Sequence, residues 1–464
     1  MIFRFARHIS RTMEEKLQID SNEIKKLFLL AFSFFFIIAS YSILRSLKTS
    51  IFLGLVGKEY QPMTRLIAIV IMFPAMLGYA KLVDKFKREQ IVYTIIGIYA
   101  VASLVFAVLL AHPTIGVQNT FTSPYRFIGW GFEIFMDLYS ALVVSTFWSF
   151  VNSICTPMFA EKGYGTIVAI SKIGGIAAAL IGLLITRSGL ETSSSIPLLT
   201  ASAGIFLFLS ILLVRSIIKT IPDSYLHGYQ AAFVEEKKAE KQLKKPGIFE
   251  GLRLMLTEPY VLGIFGILYS MEIISIIFDY QMQVLMSVEM NNHIGSMSSF
   301  MFIYTATFQV CTFLFAFLGT STLLKKIGVR ACLIITPLVL GLLSLIMLTW
   351  PSLWITFFIL VILRALNYGF NQPVREILYI PTVKDIQFKS KAWIESFGKT
   401  FSKASGSAFS WISITTNPLL CIRTNAIFSF AISAFYLVVV FFLGRRYAKT
   451  VENNEVIGTK RYKS

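Results

Sequence analysis

Uncharged, apolar stretches of about twenty residues recur along this chain, and no other feature constrains its fold as strongly. Wound into a helix, such a stretch matches the hydrocarbon thickness of a bilayer. In lipid every backbone N–H and C=O must be satisfied within the segment or by a closed barrel, so long apolar runs read as spanning helices. The runs fall at 27–44, 64–83, 91–112, 126–152, 164–186, 197–217, 259–288, 297–323, 331–349, 351–371, 393–415 and 424–444. The fourth and seventh are long enough to be tilted or broken, and the eleventh is the least regular because it carries several Ser and Lys residues. Only 15% of residues are charged, against about 25% in a typical soluble protein. That excludes a disordered chain and an ordinary soluble multidomain enzyme. The expectation is an all-α polytopic membrane protein with twelve transmembrane helices.

Charge placement gives the topology. The 43 Lys and Arg residues outnumber the 25 Asp and Glu residues. In a soluble chain this excess would point to nucleic acid; here it follows the rule that basic residues collect in cytoplasmic loops. The 85–88 turn, the 219–253 stretch, the 325–330 turn, the 384–391 segment and the C-terminal tail are all basic, whereas Lys58, Arg126 and Arg187 are the main cations of the alternate connectors. Both termini are therefore expected in the cytoplasm. The one long polar insertion separates two sets of six spans, with short basic hairpins at equivalent places after spans 2 and 8. A six-plus-six layout with a basic central loop is the pattern of the major facilitator architecture. The expected division is a cytoplasmic segment at 1–26, a six-helix half at 27–217, a basic connector at 218–258, a second half at 259–446 and a tail at 447–464. The 1–26 segment lacks an apolar core of signal-peptide length, and Glu14, Glu15 and Asp20 disfavour a transit peptide. A bacterial inner membrane is expected over a plastid envelope.

The chemistry resides in charges inside the spans, each costing roughly 2.5–3.5 kcal/mol at mid-membrane unless it is paired or wet. Span 1 ends with Arg45 and Lys48, span 4 carries Glu133 and Asp137, span 5 carries Lys172, span 7 carries Glu272 and Asp279, and span 10 carries Arg364 with Arg375 following it. Residues four apart share a helix face, as Glu133 and Asp137 do; residues seven apart, such as Glu272 and Asp279, share a stripe two turns long. In a major facilitator layout spans 1, 4, 7 and 10 line the central cavity, with cations here on 1 and 10 and acids on 4 and 7. Two readings are open. The charges are salt bridges that hold or lock the bundle, or the cations bind an anionic substrate while the acids act as counter-charges. Twelve spans can pack without so many charges, which favours the functional reading for the set. Lys172 also has a plain reading, snorkelling to the interface from a small-residue helix.

Enzyme signatures are missing. The sequence contains no GxxxxGK[ST], GxSxG, HExxH or GxGxxG pattern. The four Cys and four His residues are scattered, so neither a metal site nor a cofactor is expected. The six Trp residues fall mostly near span ends, as in an aromatic belt.

Four segments resemble a known family. ILRSLKTS at 43–50 looks like the first-helix motif of the nucleotide transporters (ATP/ADP translocases) of plastids and obligate intracellular bacteria. QPVREILYIP at 372–381 resembles that family's Asp-Pro-x-Lys-Glu-x-x-Tyr-Ile-Pro signature, and KSKAWIESFGKTFSKASGS at 389–407 resembles a following Lys-Gly-Lys-Ala-x-Ile-Asp segment. MDLYSALVVSTFWSFVNSI at 136–154 is similar to a family segment in the fourth helix. The resemblance implies a transporter, not an enzyme, that exchanges or imports nucleotides by alternating access, with substrate held near the midplane between the halves. Carried over by position, its important charges are Lys48, Asp137, Asp279 and Arg375. Asp137 and Asp279 stand where the family has Glu, Arg375 stands for Lys, and Gln372 for Asp, so this is a divergent member. Lys48 and Arg375 are expected to hold phosphates with help from Arg45 and Arg364. Asp137 and Asp279 are expected to couple binding to closure or carry a proton, with Glu133, Glu272 and Lys172 in coupling or gating. The expected partners are a nucleotide (ATP, ADP or another) and the lipid bilayer, with no nucleic acid; oligomeric state is open and a monomer is compatible. Two alternatives remain: a major facilitator transporter of another organic anion, possibly proton-coupled, and a non-transporting membrane scaffold.

Overall fold

A computed structural model describes residues 20–155, 157–226, 250–318, 320–379, 381–383, 386, 390–413, 418–453 and 455–458. Residues 1–19 of the expected cytoplasmic N-terminal segment, most of the basic connector and the end of the tail lie outside the described residues, while 21–26 form the start of the first helix. Among those described, the structure is built from helices: α1 Ser21–Leu55, α2 Gln61–Lys85, α3 Arg88–Ala111, α4 127–154, α5 Pro157–Arg187, α6 Thr192–Thr220, α7 Pro259–Glu289, α8 Ile294–Leu318, α9 Thr320–Thr349, α10 353–378, α11 391–412 and α12 Pro418–Glu452. A short helix, Glu250–Thr257, precedes α7. Nine of the described helices are long and apolar enough to cross a membrane. The apolar part of α10, Leu353–Leu366, is shorter than a full span, and α2 and α11 are not among the nine. Each of these three nevertheless overlaps a stretch in which the sequence places a span.

Helix ends follow from local chemistry. Asp20 opens α1 by accepting a hydrogen bond from the Ser21 amide at 2.8 Å, as a capping carboxylate does. At 35 residues, α1 is about 52 Å long, well beyond the ~30 Å hydrocarbon core. Helix α9 is broken at Gly328, where φ is +76°; a residue with a Cβ is strained there, so glycine supplies the turn in the basic 325–330 segment. Arg126 explains one of the cations outside the basic loops. Its guanidinium donates to the carbonyls of Asn119, Phe121, Ile115 and Gly116 at 2.6, 3.0, 2.9 and 2.5 Å, so it holds the 115–121 loop together in place of secondary structure.

Three rods contain a five-residue π turn: Ser140–Val144 in α4, Asn367–Asn371 in α10 and Ile394–Gly398 in α11. The sequence reads the fourth and seventh spans as long enough to be tilted or broken; α4 contains a π turn, whereas α7 runs unbroken for 31 residues. A π turn inserts a residue into the helical register and re-aims the side chains beyond it, and such turns occur often at functional sites.

The described residues group into two compact units. Unit 1 contains residues up to 56, 70–226 and 293–306; unit 2 contains 57–69, 250–292 and the residues from 307 onward. The first turns of α2 thus belong with unit 2, and the first half of α8 with unit 1. In unit 1, α1 packs along α5 and α6, and α3 packs along α6. Gly174 of α5 lies so close to α1 that a Cβ would stand 2.6 Å from the Phe35 carbonyl oxygen. Hydroxyl pairs stitch these helices where a hydrocarbon environment offers no other partner: Ser33 with Ser210 at 2.8 Å, Ser46 with Thr305 at 2.9 Å and Ser50 with Ser298 at 2.6 Å. Lys26, 1% exposed, donates to the carbonyls of Tyr225 and Ile154, and Arg88 donates to those of Ser153 and Leu226. The two cations thereby cap the C-terminal end of α4, where the helix dipole is negative. In unit 2, α7 packs against α10, α11 and α12, and α9 packs against α12.

Candidate functional site

Each unit gathers its span charges around an apolar helix bundle. In unit 1, Lys48 comes from α1 and is 7% exposed. Its Nζ lies 2.8 Å from Glu133 Oε1 and 2.6 Å from Asp137 Oδ1. The four-residue spacing on α4 turns both carboxylates toward one ammonium, and the π turn begins three residues past Asp137. Glu133 is fully buried. The triad has one cation and two acids, so with all three ionised it carries a net negative charge. Arg45 lies one turn earlier on α1, half-buried. It donates to the Tyr41 hydroxyl at 3.2 Å, and Tyr41 stacks at a tilt on Tyr139, whose hydroxyl donates to the Ile37 carbonyl at 3.0 Å. Arg45 is thus seated against the Tyr41 ring. Lys172 is half-buried on α5 between buried Ser171 and exposed Ile173.

In unit 2 the charges join three helices. Arg364 of α10, 6% exposed, forms a close ion pair with Asp279 of α7. Arg375, further along α10 and 5% exposed, pairs with Glu395 of α11 at 2.6 Å. In an unbroken α-helix, side chains eleven residues apart would point within roughly 20° of each other. These two arginines instead reach different helices. The π turn Asn367–Asn371 lies between them, and Tyr436 of α12 donates to Asn371 Oδ1 at 3.0 Å. Glu272, two turns before Asp279 on α7, faces α11, where Lys399 Nζ lies 3.7 Å from its Oε1. Asp279 also borders a small cavity of about 20 Å³, lined in part by Gln61, Arg65, Ile276, Tyr280 and Gln283. That is room for about one water. A larger groove of about 700 Å³, lined by aromatic and aliphatic residues such as Phe265, Phe401 and Phe442, contains none of the candidate charges.

Sequence reasoning placed both acids of α4 on one face, and they do share one cation. It did not pair Arg364 with Asp279, and it missed Glu395, Lys399 and the ion pair between Lys391 and Glu376. The missed residues cluster in the 389–407 segment. The available signal was Lys391, Glu395, Lys399 and Lys403, spaced every four residues and so set along one helix face.

Paired charges on the core helices of a membrane protein mark a functional site, as in substrate and ion pathways. The structure is similar to that of a bacterial homologue of the iron transporter ferroportin in an inward-facing state, with a TM-score of 0.63 at 12% identity over 92% of this chain and all of that one. It is similar also to the nucleoside transporter NupG, with a TM-score of 0.57 at 14% identity over 93% of this chain and all of that one, and to the xylose transporter XylE from E. coli, with a TM-score of 0.59 at 13% identity over 91% and 95%. These likenesses establish the major-facilitator-type fold. The sequence model of the TLC ATP/ADP transporter family matches residues 7–355. This chain belongs to that family, whose members are transporters rather than enzymes. Among its relatives are ADP,ATP carrier protein 3 of Rickettsia typhi (strain ATCC VR-144 / Wilmington), 22% identical over 84% of this chain and 87% of the relative. ADP,ATP carrier protein 1 of Rickettsia prowazekii (strain Madrid E) is 24% identical over 94% and 96%. The family match ends before the 372–407 block, whereas the whole-chain alignments extend over most of the sequence.

Proposed function

We propose that this chain moves nucleotides, ATP and ADP among them, across a bacterial inner membrane by alternating access, with both termini in the cytoplasm. The observation that carries this reading is the set of buried ion pairs at Lys48, Asp137, Asp279 and Arg375, the positions that the family resemblance marks. Ion pairs of this kind are a resting arrangement in which each cation is neutralised by a carboxylate. An incoming phosphate offers the cation a better partner, releases the carboxylate and so links substrate arrival to a change in packing. Arg364 and Arg375 suit planar, two-point contacts with phosphate oxygens, while Lys48 is a mobile point charge. Exchange is the leading mode. Proton-coupled import is the second, favoured by the excess carboxylate of the Lys48 triad, which can hold a proton when the lysine turns to substrate.

The test is uptake of labelled ATP into intact cells of an Escherichia coli-type host, with and without an uncoupler, followed by a chase with unlabelled ADP. Uptake that survives the uncoupler and is released by ADP is expected for exchange. Collapse with the uncoupler marks the proton-coupled mode. No uptake of any nucleotide, with protein present in the membrane, refutes the proposal. Lys48→Gln and Arg375→Gln are expected to abolish uptake while leaving the protein folded.

A further inference from the structure

The ion pairs of the two units are built differently. In unit 1 one ammonium is shared by two carboxylates at 2.8 and 2.6 Å. In unit 2 Arg364 pairs with Asp279 and Arg375 with Glu395, and Glu272 faces two lysines. Lys399 lies 3.7 Å from it, which is longer than a hydrogen bond. Lys403, one turn further along α11 and half-buried, lies in the electrostatic field of Glu272 together with Lys399 and Arg65. Among the described residues no other carboxylate stands within ion-pair distance of either lysine. Glu272 itself is 5% exposed and feels Lys403, Lys399, Arg364 and Arg375 at once. A surplus cation in a poorly solvated place is held there at a cost unless an anion joins it.

We propose that Lys399 and Lys403, with Glu272 as their displaceable counter-ion, form the subsite for the terminal phosphates of the substrate. The inference deepens the reading of this chain as a nucleotide transporter and rests on it for the nature of the ligand. Residues four apart on a helix put their ammonium groups on one face, a few ångströms apart, a spacing that suits neighbouring phosphates of one chain. Lysine is apt here because a flexible stem with three rotatable donors follows phosphate chains of different length, where a rigid guanidinium fork holds one geometry. An anion can reach Lys399, whose side chain is 34% exposed, and Tyr368, 38% exposed, lies in the electrostatic neighbourhood of both lysines from the π turn of α10. At Lys48, by contrast, two carboxylates hold the one ammonium, so a phosphate has to displace both of them to reach it.

The test uses the purified full chain in lipid nanodiscs, with tripolyphosphate as the probe and ATP, ADP, AMP and adenosine as the graded series. Wild-type protein is expected to bind tripolyphosphate and to prefer ATP and ADP over AMP. Lys399→Gln and Lys403→Gln are each expected to weaken tripolyphosphate, ATP and ADP by about tenfold, as loss of one charge-assisted contact does, with AMP and adenosine changed far less. Lys403→Arg should keep most of the affinity. Glu272→Gln, which removes the competing carboxylate, should tighten tripolyphosphate and so moves the readout in the direction that misfolding cannot. Folded Lys399→Gln and Lys403→Gln variants that bind tripolyphosphate like wild type overturn the inference, as does a Glu272→Gln variant that binds it more weakly. The two proposals fail separately. Tripolyphosphate binding lost in the lysine variants, in a wild-type protein that transports no nucleotide, sinks the nucleotide reading and keeps the subsite. Nucleotide transport with its phosphate preference intact in the lysine variants does the reverse.

Discussion

Replacing Lys48 by methionine removes the charge and keeps much of the side-chain volume, so it isolates the electrostatics of the triad. One carboxylate oxygen lies 2.8 Å and the other 2.6 Å from the same nitrogen. Two negative charges held within roughly 5 Å of each other in this way repel by about 3 kcal/mol when the effective dielectric constant is near 20. Removing one partner of a buried ion pair costs about 3–5 kcal/mol, because a charge is left without compensation. Lys48→Met is therefore expected to destabilise the protein by about 3–5 kcal/mol. The same argument says that the loss comes from stranded carboxylates rather than from the missing lysine. Adding Glu133→Gln and Asp137→Asn to Lys48→Met should then restore stability to within about 1–2 kcal/mol of wild type, since a neutral, well-packed replacement of a buried pair is often nearly neutral. The assay is reversible unfolding in mixed micelles by titration with a denaturing detergent, followed by tryptophan fluorescence. Transport should be absent in both variants. A single variant as stable as wild type, or a triple variant no more stable than the single one, refutes the reasoning.

Three further outcomes are expected. Arg364→Ala should cost about 3–5 kcal/mol, as for any buried pair broken on one side, and exchanging the two residues (Arg364→Asp with Asp279→Arg) should recover part of it in the same unfolding assay. Gly174→Ala would set a new methyl against the backbone carbonyl of Phe35. Because α1 has to shift, the change should cost about 1–3 kcal/mol, which thermal unfolding checks. Asp20, outside the spans, accepts from the Tyr225 hydroxyl at 2.5 Å and the Ser21 amide at 2.8 Å, which hold its carboxyl below the ordinary value of 3.8. With the folded value below the unfolded one, the stabilisation is present above pH 3.8 and is lost as the pH falls through the folded value. The difference in unfolding temperature between wild type and Asp20→Asn should close over that range.

The residues show why some of the site was legible and some was not. Glu133 and Asp137 are four apart on one rod, so their common face is a property of helical geometry and needs no tertiary information. Arg364 and Arg375 are eleven apart, and a regular helix would set them on one stripe. Their partners lie on different helices, with a π turn between the two arginines that Tyr436 contacts from α12, 65 residues away in sequence. Lys399 and Lys403 were visible as a four-residue repeat, but their meaning depends on Glu272 reaching them from α7. The larger part of the fold was readable because lipid leaves the backbone few choices.

By itself the sequence determined the class of the molecule, its spans, the charges inside them and a family resemblance, since hydrophobic length, charge placement and short motifs are local quantities. It left open which charge neutralises which. That was decided in three dimensions, because an ion pair depends on distances between helices far apart in the chain. Those distances set two carboxylates around the one ammonium of Lys48 and one carboxylate, Glu272, beside Lys399 and Lys403, an arrangement that no count of Lys, Arg, Asp and Glu contains.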